Sequence, residues 1–134
     1  MSESTKETGD TKLRVLLAED HPLNLRLVGE ILSANGWEVT QVTDGVKALD
    51  QLQNQHFDVV VLDYKMPGLS GTEVVRHLRK SEEGTEAHIP AVALTAFVRG
   101  LDRDRYLRAG FDACLEKPFQ LKQLVQTVRT LVAV

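Results

Sequence analysis

The 134-residue sequence has a single cysteine, so it forms no intramolecular disulfide and a reducing compartment is expected. Its 16 Lys and Arg residues do not outnumber its 19 Asp and Glu residues, which argues against a nucleic-acid-binding surface. No apolar run approaches the roughly 20 residues of a membrane span. The polar first residues also lack the apolar core of a signal peptide. We therefore expect a cytoplasmic protein with neither a membrane nor a nucleic-acid partner.

What is present is typical of one globular domain. Hydrophobic residues make up 43% of the chain and charged residues 26%. The length suits a single domain and is too short for two. Residues 1–12, MSESTKETGDTK, contain no apolar residue after Met1, so we predict a disordered polar lead-in followed by one domain over residues 13–134.

Short apolar runs alternate with longer amphipathic segments along that domain. Strands are predicted at Leu13–Ala18, Trp37–Val42, Val59–Leu62, Ile89–Leu94 and Ala113–Leu115. Helices are predicted over Pro22–Ala34, from Asp44, through Val74 to Lys80, over Phe97–Ala109, and after Pro118. Such strict alternation predicts an α/β fold: a doubly wound, five-stranded parallel sheet with five helices on its two faces.

Polar residues stand where the apolar runs end. The first run ends at Glu19-Asp20, the third at Asp63 and the fourth at Thr95, and the fifth continues into Lys117. Parallel strands place their carboxyl ends at one edge of the sheet, which is where ligands bind in this architecture. We therefore expect three carboxylates, a hydroxyl and an ammonium to converge there.

Three clustered carboxylates repel one another unless a cation intervenes. Mg²⁺ is a hard cation that binds a few carboxylates together with phosphate oxygens. A carboxylate is also a known nucleophile toward phosphorus, forming an aspartyl-phosphate. The lysine and threonine would stabilise the charge on a transferring phosphoryl group. The set is complete for metal-assisted phosphoryl transfer onto an aspartate.

Four segments resemble a known family. They are VLLAED at the first strand, VVVLDYKMPGLSG at the third, PAVALTA at the fourth and EKPF at the fifth. In this order they resemble the response-regulator receiver domain, the phosphoacceptor of two-component signalling, over about residues 13–133. The resemblance implies a flavodoxin-like topology, and the strand order is taken from it rather than from the periodicity.

The resemblance also implies roles for individual residues. Asp63 would be the phosphoacceptor. Glu19, Asp20, Asp63 and the backbone carbonyl of Lys65 would hold Mg²⁺. Thr95 and Lys117 would contact the phosphoryl group, and the peptide bond between Lys117 and Pro118 is expected to be cis.

The resemblance further implies partners. A histidine kinase or a histidine phosphotransfer protein would donate the phosphoryl group. A downstream protein would bind the face formed by the fourth helix, the fifth strand and the fifth helix. The chain would assist its own phosphorylation and dephosphorylation without being an enzyme. The sequence ends after the fifth helix, so we expect either a single-domain regulator or a receiver from a hybrid histidine kinase, whose receivers often carry the EDxxxN pattern of Glu19–Asn24.

Plainer interpretations exist for several residues taken alone. Glu19 and Asp20 also suit simple capping of the first helix. Asn24 is interpreted as a local cap or a structural polar residue rather than a phosphate ligand. No metal-ligand spacing relates the four histidines His21, His56, His77 and His88. The run RGLDRDRYLR, Arg99–Arg108, fits both a solvated helix face and a partner surface.

Cys114 departs from the family pattern. An aromatic residue whose rotamer reports phosphorylation usually stands three positions before the lysine, where this sequence has Cys114. We interpret it as a small buried thiol. Phe111 and Phe97 are the two candidates for the missing aromatic role.

Three other functions fit the sequence less well. A degenerate receiver that only docks to partners would keep the fold without the chemistry, and the intact polar set argues against it. An aspartate-nucleophile phosphatase would need a second acid two residues after the nucleophile, where Lys65 stands. A flavin carrier would need a phosphate-binding loop rich in Ser, Thr and Gly, which is missing from the sequence.

Overall fold

A computed structural model describes residues 12–96 and 100–133 of the chain. These residues form five strands and five helices in strict alternation. The strands are β1 (Arg14–Ala18), β2 (Glu38–Val42), β3 (Val59–Asp63), β4 (Ala91–Thr95) and β5 (Ala113–Glu116). The helices are α1 (Pro22–Ala34), α2 (Gly45–Asn54), α3 (Gly71–Glu82), α4 (Gly100–Ala109) and α5 (Leu121–Val132).

All strand pairs are parallel, and the sheet has the order β2-β1-β3-β4-β5. The predicted doubly wound fold is therefore confirmed. Asp63 and Thr95 were predicted just beyond strands, but they are the last residues of β3 and β4. Their backbones continue the parallel pairing, in which Asp63 pairs with Leu94 and Thr95 with Glu116. The fourth helix, predicted from Phe97, begins at Gly100 within the described residues, and Phe97 lies outside them.

The sheet is buried on both faces because alternate strand residues point to opposite sides. One face packs against α1 and α5, and the other against α2, α3 and α4. The first cluster centres on Val15, Leu17, Val61, Leu32 and Leu124, and the second on Leu16, Val60, Leu62, Val75 and Phe111. Among residues 12–96 and 100–133, no helix combines the length and apolar character that crossing a bilayer requires.

The loop after β3 is held against the end of the strand that carries Asp63. Ser70 caps α3 by accepting from the Glu73 amide, and the Glu73 carboxylate accepts in return from the Ser70 amide. Gly71 begins the helix, and its amide donates to the Tyr64 carbonyl at 2.9 Å. A Cβ at position 71 would lie 2.5 Å from the Asp63 carbonyl oxygen, so only glycine permits this approach.

Arg79 ties the opposite edge of the sheet together. Its guanidinium donates to the carboxylates of Glu82 and Asp112, each at 2.8 Å, and to the carbonyls of Ile89 and Gly110, each at 2.9 Å. Its side chain is only 19% exposed. One arginine therefore joins α3 to the segments that lead into β4 and β5, at the edge away from Asp63.

We expect Arg79→Ala to lower the free energy of unfolding by about 3 kcal/mol, because two half-buried carboxylates lose their guanidinium partner. Urea unfolding of the variant and the wild type measures the difference. Arg76→Ala, an exposed position on the same helix, is the matched control and should change stability by less than about 0.5 kcal/mol. Equal changes in both variants would show that the Arg79 contacts do not contribute to stability.

Candidate functional site

The carboxyl ends of β1 and β3 bring three acidic residues together. Glu19 and Asp20 follow β1, and Asp63 ends β3. One carboxylate oxygen from each of the three lies within 4.8 Å of the others. Glu19 and Asp63 are buried, at 1% and 5% exposure, whereas Asp20 is exposed. The predicted convergence of these carboxylates is therefore present in the fold.

Lys117 reaches this cluster from the loop between β5 and α5. Its Nζ donates to Asp63 Oδ1 at 2.9 Å and to Glu19 Oε1 at 3.2 Å. The peptide bond that joins Lys117 to Pro118 is cis, as predicted. A single ammonium therefore bridges two buried carboxylates, with the third one beside them.

Burial dominates the electrostatics of Asp63. It raises the pKa of that carboxyl from 3.8 to about 6, with the Glu19 charge adding to the rise and the Lys117 ammonium opposing it. Burial alone would lower the pKa of Lys117, but its hydrogen bonds to Asp63 and Glu19 and their charges outweigh burial and raise it. Lys117 therefore stays cationic, whereas burial makes the ionised form of Asp63 destabilise the folded protein.

This destabilisation predicts a pH-dependent stability in metal-free buffer. The unfolded chain ionises Asp63 near its ordinary pKa of 3.8, whereas the folded chain holds the proton up to about pH 6. The folded state thus binds more protons between these values, so stability falls as the pH rises through them. Asp63→Asn removes the penalty and should stabilise the metal-free protein by up to about 3 kcal/mol near pH 7, but by little near pH 4.

Thermal unfolding in a chelator across this pH range measures the gain. Asp104→Asn, which removes an exposed carboxylate on α4, is the charge-matched control and should show no such dependence. A gain for Asp63→Asn that is the same at both ends of the range would contradict the assigned cause.

The donor set fits a hard divalent cation. All three acidic residues offer oxygen, and Lys117 bonds to only two of the three carboxylates, so negative charge remains to be balanced. A shallow cavity of about 480 Å³ opens over Asp20 and Asp63 and is also lined by Lys65, Met66 and Pro67. Lys65 therefore lies beside the cluster, and the ligand role of its carbonyl stays a prediction.

Glu19 does not cap the first helix, whose N-cap residue is His21, but its carboxylate does contact that residue. Its Oε2 accepts from the backbone amide of His21, the N-cap residue of α1, at 3.1 Å, while Oε1 accepts from Lys117. Asn24, in the first turn of α1, lines a second cavity of about 450 Å³ together with Glu19 and Lys117. The bond from the His21 amide holds the Glu19 carboxylate in place beside the lysine.

Thr95, at the end of β4, is 3% exposed. Its Oγ1 lies 2.8 Å from the hydroxyl oxygen of Tyr106 on α4, in a buried hydrogen bond. Sequence reasoning did not single out Tyr106, which lay inside a charged run. The available signal was that Tyr106 is the one aromatic residue among these ten residues, three positions before Ala109, as expected for a buried helix stripe.

The charged residues around Tyr106 that the structure describes are exposed to solvent. Arg103, Asp104, Arg105 and Arg108 are exposed, whereas Tyr106 is 6% exposed. Helix α4 therefore presents a basic outer surface and a single aromatic inward. Whether that outer surface binds a partner stays a prediction.

Cys114 is buried in the same core cluster as Tyr106 and Phe111. Burial raises the pKa of its thiol above the ordinary value, which fits the interpretation as a packing residue. Phe111 packs edge-on against Tyr106, with ring centroids 6.4 Å apart. Phe97 lies outside the described residues. Within them, Tyr106 is an aromatic residue whose hydroxyl contacts Thr95.

The chain is similar to known proteins over most of its length. A family model described as the response regulator receiver domain matches residues 15–129. The polar-differentiation response regulator DivK of Brucella ovis is 33% identical over 116 residues, which cover 87% of this chain and 93% of DivK. The sensor protein EvgS of Escherichia coli is 37% identical over 113 residues, which cover 84% of this chain and 9% of EvgS.

A solved structure is similar throughout. The receiver domain of the sensor histidine kinase PA1611 from Pseudomonas aeruginosa superposes with a TM-score of 0.81 at 30% identity. The match covers 92% of this chain and 100% of that domain. That structure is described as having a magnesium ion coordinated in its active-site cleft.

Proposed function

Because this chain belongs to the family of response regulator receiver domains, which act in two-component signalling, we propose that Asp63 accepts a phosphoryl group from a phosphohistidine donor in a Mg²⁺-dependent transfer. The observation that carries the proposal is the contact of Lys117 with both Asp63 and Glu19, beside Asp20. The acceptor is thus a buried carboxylate flanked by a fixed cation and further oxygen ligands.

The transfer exchanges one bond for another. An Asp63 carboxylate oxygen attacks the donor's phosphorus, an O–P bond forms, and the P–N bond to the donor imidazole breaks with its electron pair leaving on nitrogen. Glu19, Asp20 and Asp63 would hold Mg²⁺, with the Lys65 carbonyl as a further ligand. Bound there, Mg²⁺ supplies charge stabilisation to the phosphoryl oxygens. The magnesium ion described for the PA1611 receiver domain supports this assignment.

Lys117 and Thr95 are proposed to bind the phosphoryl oxygens. Transfer turns the Asp63 carboxylate into an acyl phosphate that carries more negative charge, and the ammonium 2.9 Å away is placed to balance it. The Thr95 hydroxyl offers a hydrogen-bond donor at the end of the neighbouring strand β4. The chain would assist its own phosphorylation and its later hydrolysis, and so acts as a phosphoacceptor rather than as an enzyme.

A mass measurement tests the proposal. The protein is incubated with a small phosphodonor, with and without Mg²⁺, and the intact mass is followed over time. We expect a gain of one phosphoryl group that requires Mg²⁺. No gain under any of these conditions would overturn the proposal and leave a receiver that works only by docking.

The donor is proposed to dock on α1 beside the site. Leu23 and Leu27 are large apolar side chains that remain 59% and 47% exposed. Leu27 also lines the cavity of about 450 Å³ together with Lys117 and Phe119. An apolar surface next to the acceptor suits a helical partner that carries the phosphohistidine. The donor's identity as a histidine kinase or a histidine phosphotransfer protein is part of the proposal.

We expect Leu27→Asp to slow phosphotransfer from a protein donor by about tenfold or more, because a charge would be buried in the interface. The rate from a small phosphodonor should not change, since the substitution lies outside the acceptor site. The donor is the kinase or phosphotransfer protein that transfers fastest in a profile of the source organism's proteins. Leu107→Asp, at an exposed leucine on α4, is the matched control, and equal slowing in both variants would contradict α1 docking.

The downstream partner is proposed to bind the face formed by α4, β5 and α5. Exposed Arg103, Arg105 and Arg108 give α4 a basic surface, and Leu107 adds an exposed apolar side chain. An acidic partner surface with an apolar centre would complement these residues. A cytoplasmic location for these exchanges stays a prediction.

A further inference from the structure

Tyr106, on helix α4, contacts the last residue of β4 and the residue that follows the acceptor at the end of β3. Its hydroxyl lies 2.8 Å from the Thr95 hydroxyl at the end of β4. Its ring packs edge-on against Tyr64, which follows Asp63, with centroids 5.2 Å apart and an interplanar angle of 67°. At 6% exposure the side chain is buried, although its helix is exposed on the outer side. One residue of α4 therefore contacts Thr95 and the neighbour of Asp63.

The residue on β5 explains why the tyrosine fits there. Cys114 lies in the same packed cluster as Tyr106 and pairs in register with Ala93, two residues before Thr95. Protein cores are close-packed, so a small side chain at one position leaves volume for a large one from a neighbouring element. A thiol is also a weak hydrogen-bond donor, whereas a phenol donates and accepts well. The structure thus brings the aromatic hydroxyl to Thr95 from α4 rather than from β5.

We propose that Tyr106 is a positioning residue that couples the phosphoryl state of Asp63 to helix α4 through the Thr95 hydroxyl. The proposal rests on the proposed function, in which Thr95 binds the phosphoryl group. A threonine hydroxyl has one proton to donate and two lone pairs to accept with. In the unphosphorylated protein either Thr95 or Tyr106 can be the donor of their shared bond.

Phosphorylation removes that freedom. Phosphoryl oxygens only accept, so Thr95 must donate its proton to them and can then only accept from Tyr106. The result is a directed chain from the Tyr106 hydroxyl through the Thr95 hydroxyl to the phosphoryl oxygen. Hydrogen bonds in such a chain polarise and strengthen one another, most of all when the last acceptor is charged. Phosphorylation therefore holds α4 more tightly against β4.

The test compares Tyr106→Phe with Tyr64→Phe and the wild type. Each phenylalanine keeps the ring and its packing and removes only one hydroxyl. All three proteins are treated with Mg²⁺ and a small phosphodonor, and each sample is divided for intact mass and for amide hydrogen exchange over residues 103–109. We expect phosphorylation to slow exchange in α4 by about tenfold in the wild type and in Tyr64→Phe.

In Tyr106→Phe, the mass gain should persist while the slowing of α4 falls below about twofold. A wild-type response in Tyr106→Phe would overturn the proposal, since the hydroxyl would then carry no coupling. Loss of the response in Tyr64→Phe as well would also overturn it, because it would assign the coupling to ring packing. No mass gain in the wild type would instead refute the proposed function, so the two failures are distinguishable.

If the Tyr106→Phe variant folds poorly, a spectroscopic measurement on the wild-type protein tests the same proposal. The chain contains two tyrosines, so wild-type protein labelled with 3-fluorotyrosine gives two ¹⁹F resonances, which Tyr64→Phe assigns. We expect the phosphorylated protein to give a second Tyr106 resonance at a different position, whose intensity follows the phosphorylated fraction. A Tyr106 resonance that stays in place in fully phosphorylated protein would overturn the proposal without any substitution at position 106.

Discussion

We expect the Asp63→Asn variant to gain no phosphoryl group from either a small phosphodonor or a protein donor, whatever the Mg²⁺ concentration. The amide side chain keeps nearly the same shape but offers no anionic oxygen to attack phosphorus. The variant should fold, because it removes a charge whose burial raises the pKa of the carboxyl. Intact-mass measurement over time checks the result, and the loss should be complete rather than partial.

Asp20→Asn is the matched control, because it removes a neighbouring carboxylate of the same cluster and leaves the acceptor in place. It should weaken Mg²⁺ binding by about 10- to 100-fold, so that raising Mg²⁺ restores its phosphorylation. Phosphorylation of Asp63→Asn at the wild-type rate would mean that another residue accepts the group. Peptide mapping of the phosphorylated wild type would then identify that residue.

The second large effect is expected at Lys117. Lys117→Met removes the ammonium that bridges Asp63 and Glu19, whose side chains are only 8% and 2% exposed. We expect the metal-free protein to lose about 2 to 4 kcal/mol of stability near pH 7, because two buried carboxylates are left without their cation. Since Lys117 is also proposed to stabilise the phosphoryl charge, phosphorylation should slow by about 100-fold or more.

Chemical unfolding with and without Mg²⁺ separates the two roles of this lysine. A bound divalent cation should restore much of the lost stability, because it neutralises the same carboxylates, but it should not restore the phosphorylation rate. Lys122→Met, an exposed lysine on α5, is the control and should change neither quantity. If Lys117→Met and the wild type are phosphorylated at equal rates in saturating Mg²⁺, the lysine acts on folding alone.

The alternation of strands and helices was predictable because it depends on local pattern. A run such as Val59–Leu62 is continuously apolar because both faces of the sheet are covered. The positions of Asp20, Asp63 and Thr95 followed from one rule, that parallel strands end at a common edge. The boundaries were less accurate, since Asp63 and Thr95 belong to the strands themselves. The sequence pattern ended each strand at the last apolar residue, because polar side chains do not show that the backbone of Asp63 and Thr95 is still extended.

The contacts that no local pattern contains are those between distant segments. Lys117 is 98 residues from Glu19 and 54 from Asp63, and the bond geometry depends on how the β5–α5 loop turns over the sheet edge. Arg79 joins two carboxylates and two carbonyls that only the packing of α3 brings near one another. The sequence could name these groups but could not assign the partners.

Tyr106 shows this limit most clearly. The sequence by itself determined the fold class and the acidic edge, because periodicity and strand direction are local properties of the chain. It also showed that the aromatic position before Lys117 holds Cys114, and it offered Phe111 and Phe97 as candidates for the missing role. Only the tertiary structure brought the Tyr106 hydroxyl to Thr95. This contact depends on the rotation of α4 about its axis and on the rotamer of Tyr106, and the packing of the whole core determines both.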